Sequence, residues 1–67
     1  MISGVVKEYD RRKGFGFISG KDGQDYFVHV SGIREHLKSK GLKIGQSVSF
    51  DIDSDIKGDK AVKVKTN

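Results

Sequence analysis

Three phenylalanines and a histidine stand at alternate positions of two short segments, Phe15-Gly16-Phe17 and Phe27-Val28-His29, and three consecutive cations, Arg11-Arg12-Lys13, precede the first of them. Neighbouring side chains of a strand point to opposite faces, so alternate residues share one. An exposed row of rings bordered by cations is suited to single-stranded nucleic acid: rings stack on bases for about 1–3 kcal/mol each, and cations follow the phosphates. Lys7 adds a cation from the preceding segment, and the spacing of Tyr9 extends the patch. A basic run of this length is by itself only a solvated turn, and the rings beside it give it meaning.

The fourth apolar segment calibrates the sorting into faces. There Val48, Phe50 and Ile52 form an inner row, and Ser47, Ser49, Asp51 and Asp53 a polar outer one, as a half-buried strand requires. The second and third segments differ, because Phe15-Gly16-Phe17-Ile18 and Tyr26-Phe27-Val28-His29-Val30 carry large apolar groups in both rows. If Ile18, Tyr26, Val28 and Val30 line the interior, then Phe15, Phe17, Phe27 and His29 face out. The alternative is that the phenylalanines fill the core or lie under a loop. Gly16 favours the first arrangement, since a strand glycine costs roughly 0.5–1 kcal/mol and packs nothing, which suits a flat surface between two rings.

The elements that would position these side chains are strands. No segment has helical apolar spacing over three turns, and nine glycines interrupt the chain of 67 residues. Five segments have strand character: Ile2 to Asp10, Phe15 to Gly20, Asp25 to Val30, Gln46 to Ser54 and Lys60 to Lys65. Asp22-Gly23 joins the second and third as a hairpin, and Lys57-Gly58-Asp59 separates the last two. Between Ser31 and Gly45 the alternation stops, with Ser31-Gly32-Ile33 suited to one tight helical turn. Five short strands bury one face each only by closing, so the expected fold is all-β, a five-stranded antiparallel barrel formed by residues 1–67 as a single domain.

Composition excludes several classes. A chain this short buries only about 60% of its unfolded surface, and with no cysteine it has neither disulfide nor thiolate metal site to compensate. Its 34% hydrophobic and 33% charged residues argue against disorder, and apolar runs no longer than three residues against a membrane span, which leaves the cytoplasm as the expected location. The net charge of +4 raises the expectation of a polyanionic partner, and the basic excess falls in the first forty residues. Catalysis is not expected: His29 and His36 are the only histidines, and nothing pairs a nucleophile with a base. Asp51, Asp53 and Asp55 alternate along a strand and lack the glycine and terminal glutamate of a calcium loop, so neither metal nor cofactor is expected.

Lys13-Gly14-Phe15-Gly16-Phe17-Ile18 resembles the first ribonucleoprotein motif of bacterial cold-shock proteins, and Tyr26-Phe27-Val28-His29-Val30 resembles the second, in matching order and spacing. Gly45-Gln46-Ser47-Val48-Ser49-Phe50 is similar to that family's fourth strand, so the likeness covers nearly the whole chain. The resemblance implies an oligonucleotide-binding (OB) barrel whose second and third strands carry the binding face. By similarity, Lys7, Tyr9, Lys13, Phe15, Phe17, Asp25, Phe27 and His29 fall on family binding positions, and Arg11 and Arg12 join them from the basic turn. The chain departs from the family pattern at Glu8, where tryptophan is usual, and at Val30, where phenylalanine is. It also departs in the segment from Arg34 to Ile44, which offers Leu37 in place of an aromatic, and in its last loop, which lacks Gly-Pro. These departures imply weaker binding.

The expectation is therefore a monomeric, non-enzymatic binder of single-stranded RNA or DNA with little sequence preference, a passive chaperone of RNA structure or a regulator of transcription or translation. No membrane and no small-molecule substrate is expected. Two alternatives remain open: a protein-interaction module that uses the same aromatic patch, and a ribosome-associated barrel of the same fold.

Overall fold

A computed structural model of the chain describes residues 1–33, 41–56 and 58–66. The expectations concerning Arg34, His36 and Leu37, and the Lys57 end of the last turn, lie outside these residues. Among the described residues there are five strands, β1 (Ile2–Asp10), β2 (Phe15–Gly20), β3 (Asp25–His29), β4 (Ser47–Asp55) and β5 (Gly58–Thr66), with one 3₁₀ turn at Val30–Gly32. They close into a barrel in the order β1-β2-β3-β5-β4, sealed by pairing of β4 with β1. Every pairing is antiparallel except that of β3 with β5, which is parallel. The barrel is thus mixed, contrary to the wholly antiparallel expectation, because β5 closes the seam beside β3 instead of following it through a hairpin.

Closure lets each strand bury alternate side chains without leaving an open edge. Val6, Ile18, Val28, Val48, Phe50 and Val64 are completely enclosed, joined by Tyr26, Ile33, Leu42 and Ala61. Each large side chain so buried stabilises the fold by roughly 1.5–3 kcal/mol. Two members of the expected inner rows depart from it. Val30 belongs to the 3₁₀ turn and is only half-buried, because the strand ends at His29. Ile52 pairs with the buried Ala61, which keeps it on the inner row, yet it is 41% exposed in the second half of β4.

Two turns set the meander. At its first corner Asp10 accepts backbone hydrogen bonds from Arg12 (2.9 Å) and Lys13 (3.1 Å) through Oδ1, and Gly14, at φ 76°, donates to the Asp10 carbonyl at 2.8 Å. A side chain disfavours that left-handed conformation. At the second, Asp22 accepts from the Gln24 amide at 3.1 Å and from the Tyr26 hydroxyl. The hydroxyl contact holds the phenol proton, raising Tyr26 to a pKa of about 12 and lowering that of Asp22.

Candidate nucleic-acid interface

The register of β1, β2 and β3 decides which side chains share the outer face. Phe17 pairs with Phe27 and Phe15 with His29, while the intervening Gly16, Ile18, Tyr26 and Val28 are buried. The three rings form one contiguous surface. Phe27 stands at its centre, with ring centroids 5.8 Å from Phe15 and 5.9 Å from Phe17, the latter pair edge to face, an arrangement that aromatic quadrupoles favour. Phe17 and Phe27 are each 37% exposed. Phe15 is half-buried.

Gly16 lies under this surface for a reason different from the flatness expected of it. A Cβ built there would come 2.1 Å from the Glu8 carbonyl oxygen and 2.6 Å from the Tyr9 Cα, so no side chain fits. The cause is a bulge: Val6 faces Ile18 and Glu8 faces Phe17, which leaves Lys7 as the extra residue of β1. The bulge re-aims the next two side chains. Glu8 comes onto the outer face beside Phe17, whereas Tyr9 lies across from Gly16, half-buried and packed against the core, where desolvation raises its pKa.

Lys7 and Asp25 are brought together, Nζ to Oδ2 at 2.9 Å, and the carboxylate raises the lysine's pKa. Both are well exposed, so the pair is screened and adds little stability. It does give the edge of the face one cation and one acceptor side by side. Arg12 and Lys13 are exposed in the turn that leads into Phe15, whereas the Arg11 side chain lies over Gly41, its Cγ 2.9 Å from where a Cβ would stand. Of the cationic cluster, Arg12 and Lys13 stand closest to Phe15 along the chain. The His29 Nδ1 accepts from the Ser31 amide at 3.1 Å, capping the 3₁₀ turn, which assigns the proton of the neutral ring to Nε2.

Sequence reasoning did not include Lys60 in this face. The parallel seam pairs it with Phe27, which continues a row running Glu8, Phe17, Phe27, Lys60 and Asp53 across the five strands. No local signal marks Lys60, because its neighbour is set by how the barrel closes. The acidic residues of β4 therefore begin one strand beyond Lys60, with Asp53 at 3.9 Å from its Nζ. Among the described residues no cluster of three or more His, Asp or Glu side chains could hold a metal ion, and no helix is long and apolar enough to cross a membrane.

Known proteins of similar sequence identify the family. Residues 2–67 match the family model of the 'Cold-shock' DNA-binding domain. The chain is 44% identical over 64 residues to a major cold shock protein of Streptococcus pyogenes, covering 96% of this chain and 94% of the relative. It is 45% identical to cold shock protein 1 of Lactiplantibacillus plantarum, over 96% of each chain, and 43% identical to cold shock protein CspC of Bacillus subtilis, over 97% of each.

Proposed function

Because this chain belongs to the cold-shock DNA-binding domain family, which binds nucleic acid, we propose that it binds single-stranded RNA or DNA with little sequence preference, through Phe15, Phe17, Phe27 and His29. The observation that carries this reading is the contact between three partly exposed rings on one paired-strand surface. Such a surface is large enough to stack successive bases, and stacking is tolerant of sequence because every base has a π face. Lys7, Arg12 and Lys13 border it on the β1 side and the first turn. Arg11, Tyr9 and Asp25 act from the margin in this reading. Arg11 contributes long-range charge, Tyr9 supports the strand from beneath, and Asp25 holds Lys7 and accepts hydrogen bonds from base edges.

The mechanism needs no fuel. Bases in a duplex hide their faces, so a ring platform binds only the melted strand and draws the equilibrium toward it by mass action, by RT ln(1 + [L]/Kd). The protein is then a passive, cytoplasmic chaperone of RNA structure, acting as a single-domain monomer without cofactor. A titration of single-stranded and duplex oligonucleotides at several salt concentrations tests this. With roughly two to three phosphates neutralised, log Kd should change with log salt at a slope of magnitude about 1.4–2.1, and duplex should bind far more weakly. Equal affinity for duplex and single strand, or affinity independent of salt, would refute the reading and favour a protein partner for the patch.

A further inference from the structure

The aromatic face does not stop at β3. Phe27 pairs with Lys60 and Val28 with Ala61 across the parallel seam, so the outward row of β5 continues the platform through Lys60 and the half-buried Val62. Beside His29 the seam opens into a cleft of about 170 Å³, lined by His29, Ser31, Lys60, Val62 and Lys63 together with the backbone at Gly32 and Ala61. This is well below the roughly 300–1,000 Å³ of a site for a drug-sized ligand, and it suits one small polar group. Its lining contains two ammonium groups, a hydroxyl and an imidazole whose Nε2 carries a proton, and no carboxylate.

Lys63 is the unusual member. It stands at φ 53°, the one described non-glycine residue with positive φ. Pairing advances from Val62 opposite Asp51 to Lys65 opposite Ser49, which makes β5 one residue longer than β4 there. Lys63 thus occupies a bulge in β5, as Lys7 does in β1. Left-handed backbone is costly for a side-chain-bearing residue and persists only where its surroundings hold it, commonly at functional sites. Bulges re-aim side chains next to such sites. Two bulged lysines thus flank the two platform strands, one on each neighbouring strand. Lys7 is matched by Asp25, whereas Lys63 has no ion-pair partner among the described residues.

We infer that this cleft on the β3–β5 seam is a phosphate subsite, in which Lys63, assisted by Lys60 and the His29 Nε2–H, receives a backbone phosphate of the strand whose bases lie on Phe27 and Phe15. The inference rests on the platform reading above. It extends the path of the bound strand onto β5 and makes the affinity partly dependent on residues outside the two aromatic segments. Lys60 contributes less than Lys63, since Asp53 stands 3.9 Å from its Nζ.

Lys63→Asn tests it, because asparagine tolerates the left-handed conformation and carries no charge. Lys21→Gln, in the hairpin at the other end of β3, controls for the loss of one unit of net charge. Labelled oligothymidylate is titrated by anisotropy from 0.1 M to 1 M salt, with thermal melting of each variant. A single strand that neutralises one phosphate fewer has a slope smaller in magnitude by about 0.7, or about fivefold in Kd per tenfold of salt. Lys63→Asn should therefore bind about fivefold more weakly at 0.1 M and near the parental level at 1 M, with Lys21→Gln close to parental throughout. If Lys63→Asn is folded and binds no more weakly than Lys21→Gln, the subsite is refuted while the platform stands. If the parent itself does not prefer single strands, the platform reading fails, and the subsite with it.

Discussion

Phe27 is the hub of the ring surface, touching both Phe15 and Phe17, so its removal is the most informative single perturbation. Of a side chain of roughly 200 Å², the 37% left exposed offers about 75 Å² to a stacked base, which at about 25 cal/mol per Å² amounts to about 2 kcal/mol. That lies inside the range of about 1–3 kcal/mol for base stacking and corresponds to a loss of about 30-fold in affinity. Phe27→Ala also removes the buried two-thirds of the ring, so the variant should melt earlier, by about 4–8 °C for each kcal/mol of stability lost in a domain this small. Phe27→Leu separates the two effects, because it keeps apolar volume against the neighbouring rings and removes only the flat face. The chain has no tryptophan to report binding. The assay is therefore anisotropy of a labelled oligothymidylate of about seven nucleotides, within the site size of a single OB fold, at a temperature where both variants are folded. Both should bind more weakly, the alanine variant by about 30-fold. A folded Phe27→Leu and a folded Phe27→Ala that each bind as the parent does would refute the assignment of the face.

Glu8 pairs with Phe17 on the outer face, which sets a carboxylate beside the path proposed for the phosphates. Glu8→Trp should tighten binding by about 1–2 kcal/mol, the lower part of the stacking range, and Glu8→Gln by only a few tenths of a kcal/mol that fade with salt; titration of both against the parent measures the order. Gly16→Ala places a Cβ 2.1 Å from the Glu8 carbonyl, so it should lower the stability by more than the roughly 1 kcal/mol typical of point substitutions, read as a lower denaturation midpoint; an unchanged midpoint would show that β1 yields without cost. Tyr26 has its pKa raised to about 12 from an ordinary 10.0. Its stabilising contribution is therefore complete below pH 10 and lost as pH rises toward 12. Asp22, held below its ordinary 3.8, contributes above that pH and loses its share as pH falls through the lower folded value. Tyr26→Phe should flatten both arms of stability against pH, and denaturant midpoints across the range provide the check.

Much of the architecture is a local property of the chain. Alternation placed β1 and β2 at their observed limits and separated the buried Ile18, Tyr26 and Val28 from the outward Phe15, Phe17, Phe27 and His29, because side-chain direction in a strand follows from backbone geometry. Turn chemistry was equally legible at Asp22-Gly23, where a side-chain acceptor and a positive φ serve the hairpin. What alternation cannot contain is an interruption of itself. The bulges at Lys7 and Lys63 shift register by one residue and move Tyr9 to the core side, Glu8 to the rings and Lys63 to the mouth of a cleft. The necessity of Gly16 arises there too, from the carbonyl of a neighbouring strand whose close approach no residue type announces. The parallel meeting of β3 and β5 was likewise undetermined by residue types, because a barrel chooses its closing partner by the shape of the whole sheet. That choice alone sets Lys60 beside Phe27.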